Sequence, residues 1–401
     1  MNITRILGCA LLVLAACARA ATPGASAGNI HSLALHADGT VRVWGDDSAG
    51  ALGLGRSLAA NAPAIVNGLT NVVAVAAGDW HTLALRSDGT VWAWGLNAVG
   101  QLGDATTASR SAPARIDGLT NIVDIAAGSV HNVALKSDGT VWTWGANYVG
   151  ALGDERSGGG VPEPVAGITG LTAIAAGRET TLVVRSDGSV WSWGRNDDGQ
   201  LGDGTQTELY TGRSTPRAVA GLSGVTRVAS GLTHSLALKG DGTVWAWGDN
   251  SEGNVGDGST VRRLTPVQVP GLGGVIAIDA GRHSVALKAD GTVWAWGSNG
   301  YGQLGDDTFI DRLSPLQMPG LANVVAIAVS YLHAVAIKAD GSVWAWGYND
   351  SGQLGDGSNE RRTLPVPTLL AGGIARAALG SDHSIAVGND GRVRTWGNDS
   401  A

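Results

Sequence analysis

The chain has 401 residues, among them 62 glycines, 15 tryptophans, 12 prolines and one phenylalanine. Glycine at that level without a period of three excludes collagen and calls for many turns, and a hydrophobic fraction of 44% supplies a sizeable core. A formal charge of −7 excludes a strongly basic surface, and with it the counterion release that holds proteins on phosphate backbones, so no nucleic-acid partner is expected.

The first predicted element is a targeting segment. Arg5 precedes the apolar run Ile6 to Ala16, 11 residues long, too short to span a bilayer and suited to the core of a signal peptide. Both cysteines, Cys9 and Cys17, lie in the first 20 residues. Leu14-Ala15-Ala16-Cys17 has the form of a bacterial lipobox, in which the cysteine becomes the lipidated first residue. Cleavage after Ala18-Arg19-Ala20 is the competing reading. Residues 1–20 are therefore read as a signal peptide, with lipidation at Cys17 preferred over plain secretion. The expected location is the bacterial cell envelope, at the outer membrane, with the membrane touched only through that anchor. The body of the chain has no cysteine, so it carries neither disulfides nor thiolate metal sites.

Residues 21–401 are one domain of eight repeat units. Trp-Gly recurs at Trp44, Trp94, Trp144, Trp193, Trp247, Trp296, Trp346 and Trp396, at spacings of 49 to 54 residues. Asp-Gly precedes each, at Asp38, Asp88, Asp138, Asp187, Asp241, Asp290, Asp340 and Asp390. The second unit shows the order of elements. Val72 to Ala77 is a run of small apolar residues, as a strand near a crowded axis requires. Gly78-Asp79-Trp80 turns into a second strand, His81 to Leu85. Ser87-Asp88-Gly89 closes a hairpin, because glycine supplies the positive φ of tight turns. Val91 to Trp94 is the third strand. A long loop, Asn97 to Asp104, leads to a short fourth strand, Pro113 to Ile116, whose proline and charge suit an exposed edge. Four antiparallel strands at this period describe an all-β propeller of four-stranded blades. Seven blades with one shared hairpin are preferred, and eight blades lacking one outer strand also fit.

Three ordered motifs carry a family resemblance. They stand here as Gly78 to Leu85, Asp88 to Gly95 and Asn97 to Asp104, and similar strings recur through residues 28 to 397. Together they resemble the regulator of chromosome condensation repeat. That resemblance implies a propeller and, as an alternative function, the guanine-nucleotide exchange of the family's founding member. The near-regular repeats and the export signal argue against exchange; the one clear insertion is Gln206 to Pro216. A hydrolase acting on envelope polysaccharide is the other alternative, but no asymmetric acid pair stands out for it.

Candidate chemistry reduces to symmetry. His31, His81, His131, His234, His283, His333 and His383 occupy one repeat position, with Thr180 in the eighth. Equivalent positions diverge radially, while zinc needs its ligands within about 2.1 Å, so these histidines are read as structural and no metal or cofactor is expected. The Trp pairs read as core packing between blades, the first of each pair nearer an edge, since Arg42 and Arg394 replace it in the end units. The acidic string Asn349 to Gly357 lacks the ligand spacing of a calcium loop. The turn between Gly and His varies from unit to unit while its flanks stay alike. Trp80, Arg178, Glu179, Arg282 and Tyr331 are the candidate protein-binding residues there, being or adjoining types enriched at binding hot spots. The expectation is a monomeric, exported, non-enzymatic platform for a protein of unknown identity.

Overall fold

A computed structural model describes residues 21–56, 59–370 and 372–398. The signal segment and Cys17 lie outside the described residues. The described chain is all strand and turn, arranged as eight antiparallel sheets. Of the two blade counts left open by the sequence, eight holds. Blade 2 is typical, with strands Val72–Ala77, His81–Arg86, Val91–Gly95 and Arg110–Arg115 paired in chain order. Blade 8 has three strands among the described residues, Ile374–Leu379, His383–Gly388 and Val393–Gly397. Its two inner pairings are complete.

The first strands form the inner wall. Gly24–Ala27 of blade 1 packs against Val72–Ala77 on one side and Ile374–Leu379 on the other, which closes the ring. Beyond their first residue these inner strands are mostly half-buried, whereas the second strands are almost wholly buried. The inner edges therefore line an axial channel walled by alanine. Small side chains are what eight strands converging on one axis can accommodate.

Adjacent blades are tied by one repeated link. The indole Nε1 of Trp94 donates to the Ala51 carbonyl on the long loop of blade 1 at 2.8 Å, and Thr82 Oγ1 donates to the same oxygen at 3.1 Å. His31 of blade 1 in turn bonds Thr82 through Nε2 at 2.9 Å. The link recurs at His81–Asn132–Gln101 with Trp144, at His234–Ser284–Asn254 with Trp296, and at His333–Ser384–Gln353 with Trp396. Six of the seven histidines are fully buried, and burial drives them to about 3 or 4 from a solvated 6.5. They are neutral struts. The Trp-Gly glycine completes the geometry: Gly95 sits at φ 107°, where a Cβ would lie 2.6 Å from the Trp80 carbonyl oxygen.

The long loops are pinned from inside by one asparagine. Asn299 Oδ1 accepts the Leu304 amide at 2.9 Å while its Nδ2 donates to the carbonyls of Thr308 and Ile310, each at 3.1 Å. An ion pair then fixes the loop to the fourth strand, as in Arg312–Asp306 at 2.6 Å and Arg362–Asp356 at 2.6 Å. The acidic string Asn349 to Gly357 is this loop. Asp350 and Asp356 serve Arg361 and Arg362, and no cluster able to hold a metal occurs among the described residues.

Candidate binding face at the channel mouth

The turn after each inner strand reaches the same end of the channel. Its first residue faces inward, so Asn29, Asp79, Ser129, Arg178, Leu232, Tyr331 and Ser381 rim a cavity of about 270 Å³. Backbone bonds run from blade to blade around part of this rim. Asn29 N–H donates to the Asp79 carbonyl at 3.2 Å, Asp79 N–H to Ser129 at 3.2 Å, and Ser129 N–H to Arg178 at 3.1 Å. Where the rim is held through main-chain atoms, its side chains are free to differ; between blades 8 and 1 the Ser381 hydroxyl donates to Asn29 Oδ1 instead.

Three of those side chains interact across the opening. Burial raises the Asp79 carboxyl above the usual carboxylate range, while a hydrogen bond from Ser129 and the Arg178 charge pull it back. Burial likewise raises the Tyr331 phenol, with Asp79 pushing the same way and Arg178 opposing. A carboxylate from blade 2, a guanidinium from blade 4 and a phenol from blade 7 thus share one electrostatic neighbourhood. Below them, the carboxyl of Asp279 is enclosed in the inner wall of blade 6, although the residue keeps some exposure to the channel. It accepts from Ala280 and Val329 at 2.9 Å each, and burial raises it to about 6.

Of the five residues singled out in the sequence, the structure brings Arg178 and Tyr331 to this mouth. Trp80 and Glu179 take the second place in their turns, outside the rim, and Glu179 pairs with Arg195 at 3.6 Å. Arg282 is exposed in a turn one residue shorter and also lies off the rim. Asp79, and not its larger neighbour Trp80, is the residue of the blade 2 turn that reaches the rim. It holds the first place in its turn, the place Arg178 and Tyr331 hold in theirs.

The long loops emerge on this same face, since the residue after each third strand bonds back to the turn, as Leu96 N–H does to Trp80 at 2.9 Å. They carry exposed apolar side chains: Tyr148, Leu209 and Tyr210, Val261, Phe309 and Ile310. All belong to blades 3 to 6, so one side of the face is apolar. The insertion 206–216 supplies two of them, and Tyr210 lies 5.4 Å from the Arg195 guanidinium.

Comparison with known proteins places the architecture. The RCC1-like domain family matches residues 18–283, and the regulator of chromosome condensation (RCC1) repeat matches residues 290–337 and 340–387. Human E3 ubiquitin-protein ligase HERC2 is 44% identical over 61 residues, 15% of this chain; the match spans about 1% of that protein's length. Among solved structures, human WBSCR16 is 25% identical with a TM-score of 0.71, covering 87% of this chain and 100% of its own. Prp20p of Saccharomyces cerevisiae, described with binding properties to Gsp1p and histones, is 24% identical with a TM-score of 0.71, covering 88% of this chain and 92% of its own.

Proposed function

From the premise that this chain belongs to the RCC1-like domain family, we propose that it is a non-enzymatic binding platform, exported and lipid-anchored at Cys17, which holds a protein partner at the channel mouth. The observation that carries this reading is the unlike trio Asp79, Arg178 and Tyr331 on a scaffold whose strands and hairpins repeat from blade to blade. A symmetric rim would suit a symmetric ligand. Side chains that differ in charge and shape at three of its positions suit one asymmetric partner. Tyrosine and arginine are the types that concentrate binding energy at such centres, and the apolar loops beside them supply area to desolvate. That relatives of this fold bind proteins, as Prp20p is described to do, supports the class of partner and not its identity.

Affinity capture from envelope extract tests the reading, comparing the wild type with an Arg178→Ala/Tyr331→Ala double variant. A partner retained by the wild type and lost by the variant is expected. Equal recovery by both removes the mouth as the binding site, and turnover of a glycan library by the purified protein ends the non-enzymatic reading. Intact mass of the native protein tests export. A chain beginning at a diacylated Cys17 is expected, a start at Ala21 without lipid means plain secretion, and a retained Met1 refutes export.

A further inference from the structure

The four long loops that carry the exposed apolar side chains are also the acidic part of the chain. Between the third and fourth strands of blades 3 to 6 they span residues 147–157, 196–211, 249–262 and 298–311. Arg195, Arg213, Arg263 and Arg312 at their ends pair into them. Counted with those four, the loops hold twelve acidic residues against six arginines, a net charge of −6, and no lysine. The corresponding loops of blades 1, 2 and 7, counted the same way, carry −2. The acidic excess is therefore concentrated on one side of one face.

Every one of those arginines is already paired. The remaining two are Arg156, which meets Asp154 at 2.6 Å, and Arg262, which meets Asp198 at 2.9 Å. Glu155, Glu208, Glu252 and Asp307 carry no ion pair among the described residues, and all but Glu252 are exposed. Asp198 registers the excess. Burial raises its carboxyl, and Asp197 and Asp249 push it the same way against Arg262 and Arg195.

The apolar side chains stand among these carboxylates, 55 to 71% exposed, on loops that adjoin. The Tyr210 amide donates to Asp197 Oδ2 at 3.0 Å, and Arg262, next to Val261, donates to the neighbouring Asp198 at 2.9 Å. The loop of blade 5 in turn bonds the fourth strand of blade 6, Gly258 N–H to the Leu313 carbonyl at 2.8 Å, just beyond Ile310. Leu209, Tyr210, Val261, Phe309 and Ile310 thus form a strip edged by negative charge. That charge decides what can cover it. A second copy would set one acidic strip against another, and nucleic acid or an anionic lipid surface is repelled likewise. The strip is built of loops rather than a strand edge, so a covering segment must satisfy its own main chain, as a helix does.

We propose that this strip docks a basic amphipathic helix of a protein partner, its apolar stripe covering Leu209, Tyr210, Val261, Phe309 and Ile310 and its flanking lysines and arginines meeting Glu155, Glu208, Glu252 and Asp307. An amphipathic helix presents such a stripe with cations along both sides. Burial of apolar area supplies affinity. The carboxylates supply orientation and a salt-sensitive encounter. The proposal rests on the reading of the channel mouth only for the class of partner, a protein; Arg178 and Tyr331 are not part of the strip.

The test is fluorescence anisotropy of the full chain with a labelled helical peptide of four Leu-Lys-Lys-Leu blocks. One control carries Glu at every Lys, the other Ser at every Leu. Saturable micromolar binding of the Leu-Lys peptide is expected, with none for the Glu peptide and at least about tenfold weaker binding for the Ser one. Raising salt from about 50 to about 200 mM should weaken it several-fold. Two variants, Leu209→Ser/Tyr210→Ser/Phe309→Ser/Ile310→Ser and Glu208→Gln/Glu252→Gln/Asp307→Asn, should each weaken binding about tenfold, and an unchanged melting temperature shows that the fold survives. The Arg178→Ala/Tyr331→Ala variant should bind the peptide as the wild type does; weaker binding there moves the peptide to the mouth and overturns the proposal. A mouth variant that loses its envelope partner while the wild type ignores the peptide ends this proposal and leaves the mouth reading standing. Peptide binding with equal partner recovery does the reverse. Absence of saturation overturns the proposal, as does wild-type affinity in both loop variants. Equal binding of the Ser peptide also overturns it, by showing charge attraction without a docked apolar face. Self-association of the wild type that the apolar variant abolishes puts a second copy on the strip and overturns it too.

Discussion

Acidification should open the ring through its histidines. His31, His81, His131, His234, His283, His333 and His383 are held at about 3 to 4, chiefly by burial, against 6.5 in solvent. The folded state therefore excludes protons that the unfolded chain takes up. Their contribution is complete above pH 6.5 and is lost as pH falls toward their folded values. At pH 5.5 each costs about 1.2 kcal/mol relative to pH 7, so the seven together cost about 9 kcal/mol. Asp279 works in the opposite direction. Its carboxyl, raised to about 6, takes up a proton in the folded state first and returns about 0.8 kcal/mol by pH 5.5. The balance rivals the whole stability of an ordinary domain, about 5–15 kcal/mol. The assay is urea unfolding followed by tryptophan fluorescence at half-unit steps from pH 7.5 to 5. The free energy should fall ever more steeply below pH 6.5, with a limiting slope equivalent to several protons. A curve that is flat from pH 7 to 5, or whose slope never exceeds one proton, would refute the assignment of these histidines as buried neutral struts.

Three further outcomes are expected. Asp279→Asn should raise stability at pH 7 by about 1–2 kcal/mol, since it removes a carboxylate that burial disfavours; the gain should vanish by pH 5, and equal gains at both pH values would contradict it. Trp247→Ala should cost about 3–5 kcal/mol in chemical denaturation, because the indole is fully buried and its Nε1 donates to the Gln200 carbonyl at 2.8 Å. Asn299→Ala should cost about 2–3 kcal/mol by leaving the Leu304 amide and two loop carbonyls unpaired. Hydrogen exchange should localise that damage to residues 298–311, and protection unchanged there would refute the role of the asparagine as the loop's internal peg.

Trp-Gly and Asp-Gly made the blades legible because both are geometric necessities. Gly95 has no room for a Cβ beside Trp80, and Asp88 caps its own hairpin by accepting from Thr90 N–H at 3.0 Å and from its hydroxyl at 2.6 Å. The histidine position was equally readable, since one residue type at one place in seven units cannot converge on a metal. The mouth was harder. A turn of two variable residues gives no sign of which one faces the axis; the blade-to-blade bonds of the Asp79 and Ser129 backbones decide it, and they are invisible in a string of letters. Arg262-Arg263 and Arg361-Arg362 look like solvated surface, yet Arg263 and Arg362 staple their loops to Asp257 and Asp356. The six-residue spacing from Asp to Arg was the available clue. Arg42 and Arg394 stood out as breaks in the tryptophan pattern, but that they frame one cavity depends on the ring bringing the two ends of the chain together.

That closure also shapes how the molecule can come apart and come together. Seven joins couple blades that are neighbours in sequence, while the eighth couples residues as distant as Ser381 and Asn29, 352 positions apart. At that join neither His383 Nε2 nor Ser32 Oγ completes the bond that five other joins make, as His283 Nε2 also fails to do between blades 6 and 7, and among the described residues each blade is a separate sheet. The ring is closed there by packing of Gly24–Ala27 against Ile374–Leu379 and by side-chain contacts, and among the described residues by no shared strand. During synthesis each blade can dock on the one before it at low loop-closure cost, leaving a single long-range event, the meeting of the two ends, for last.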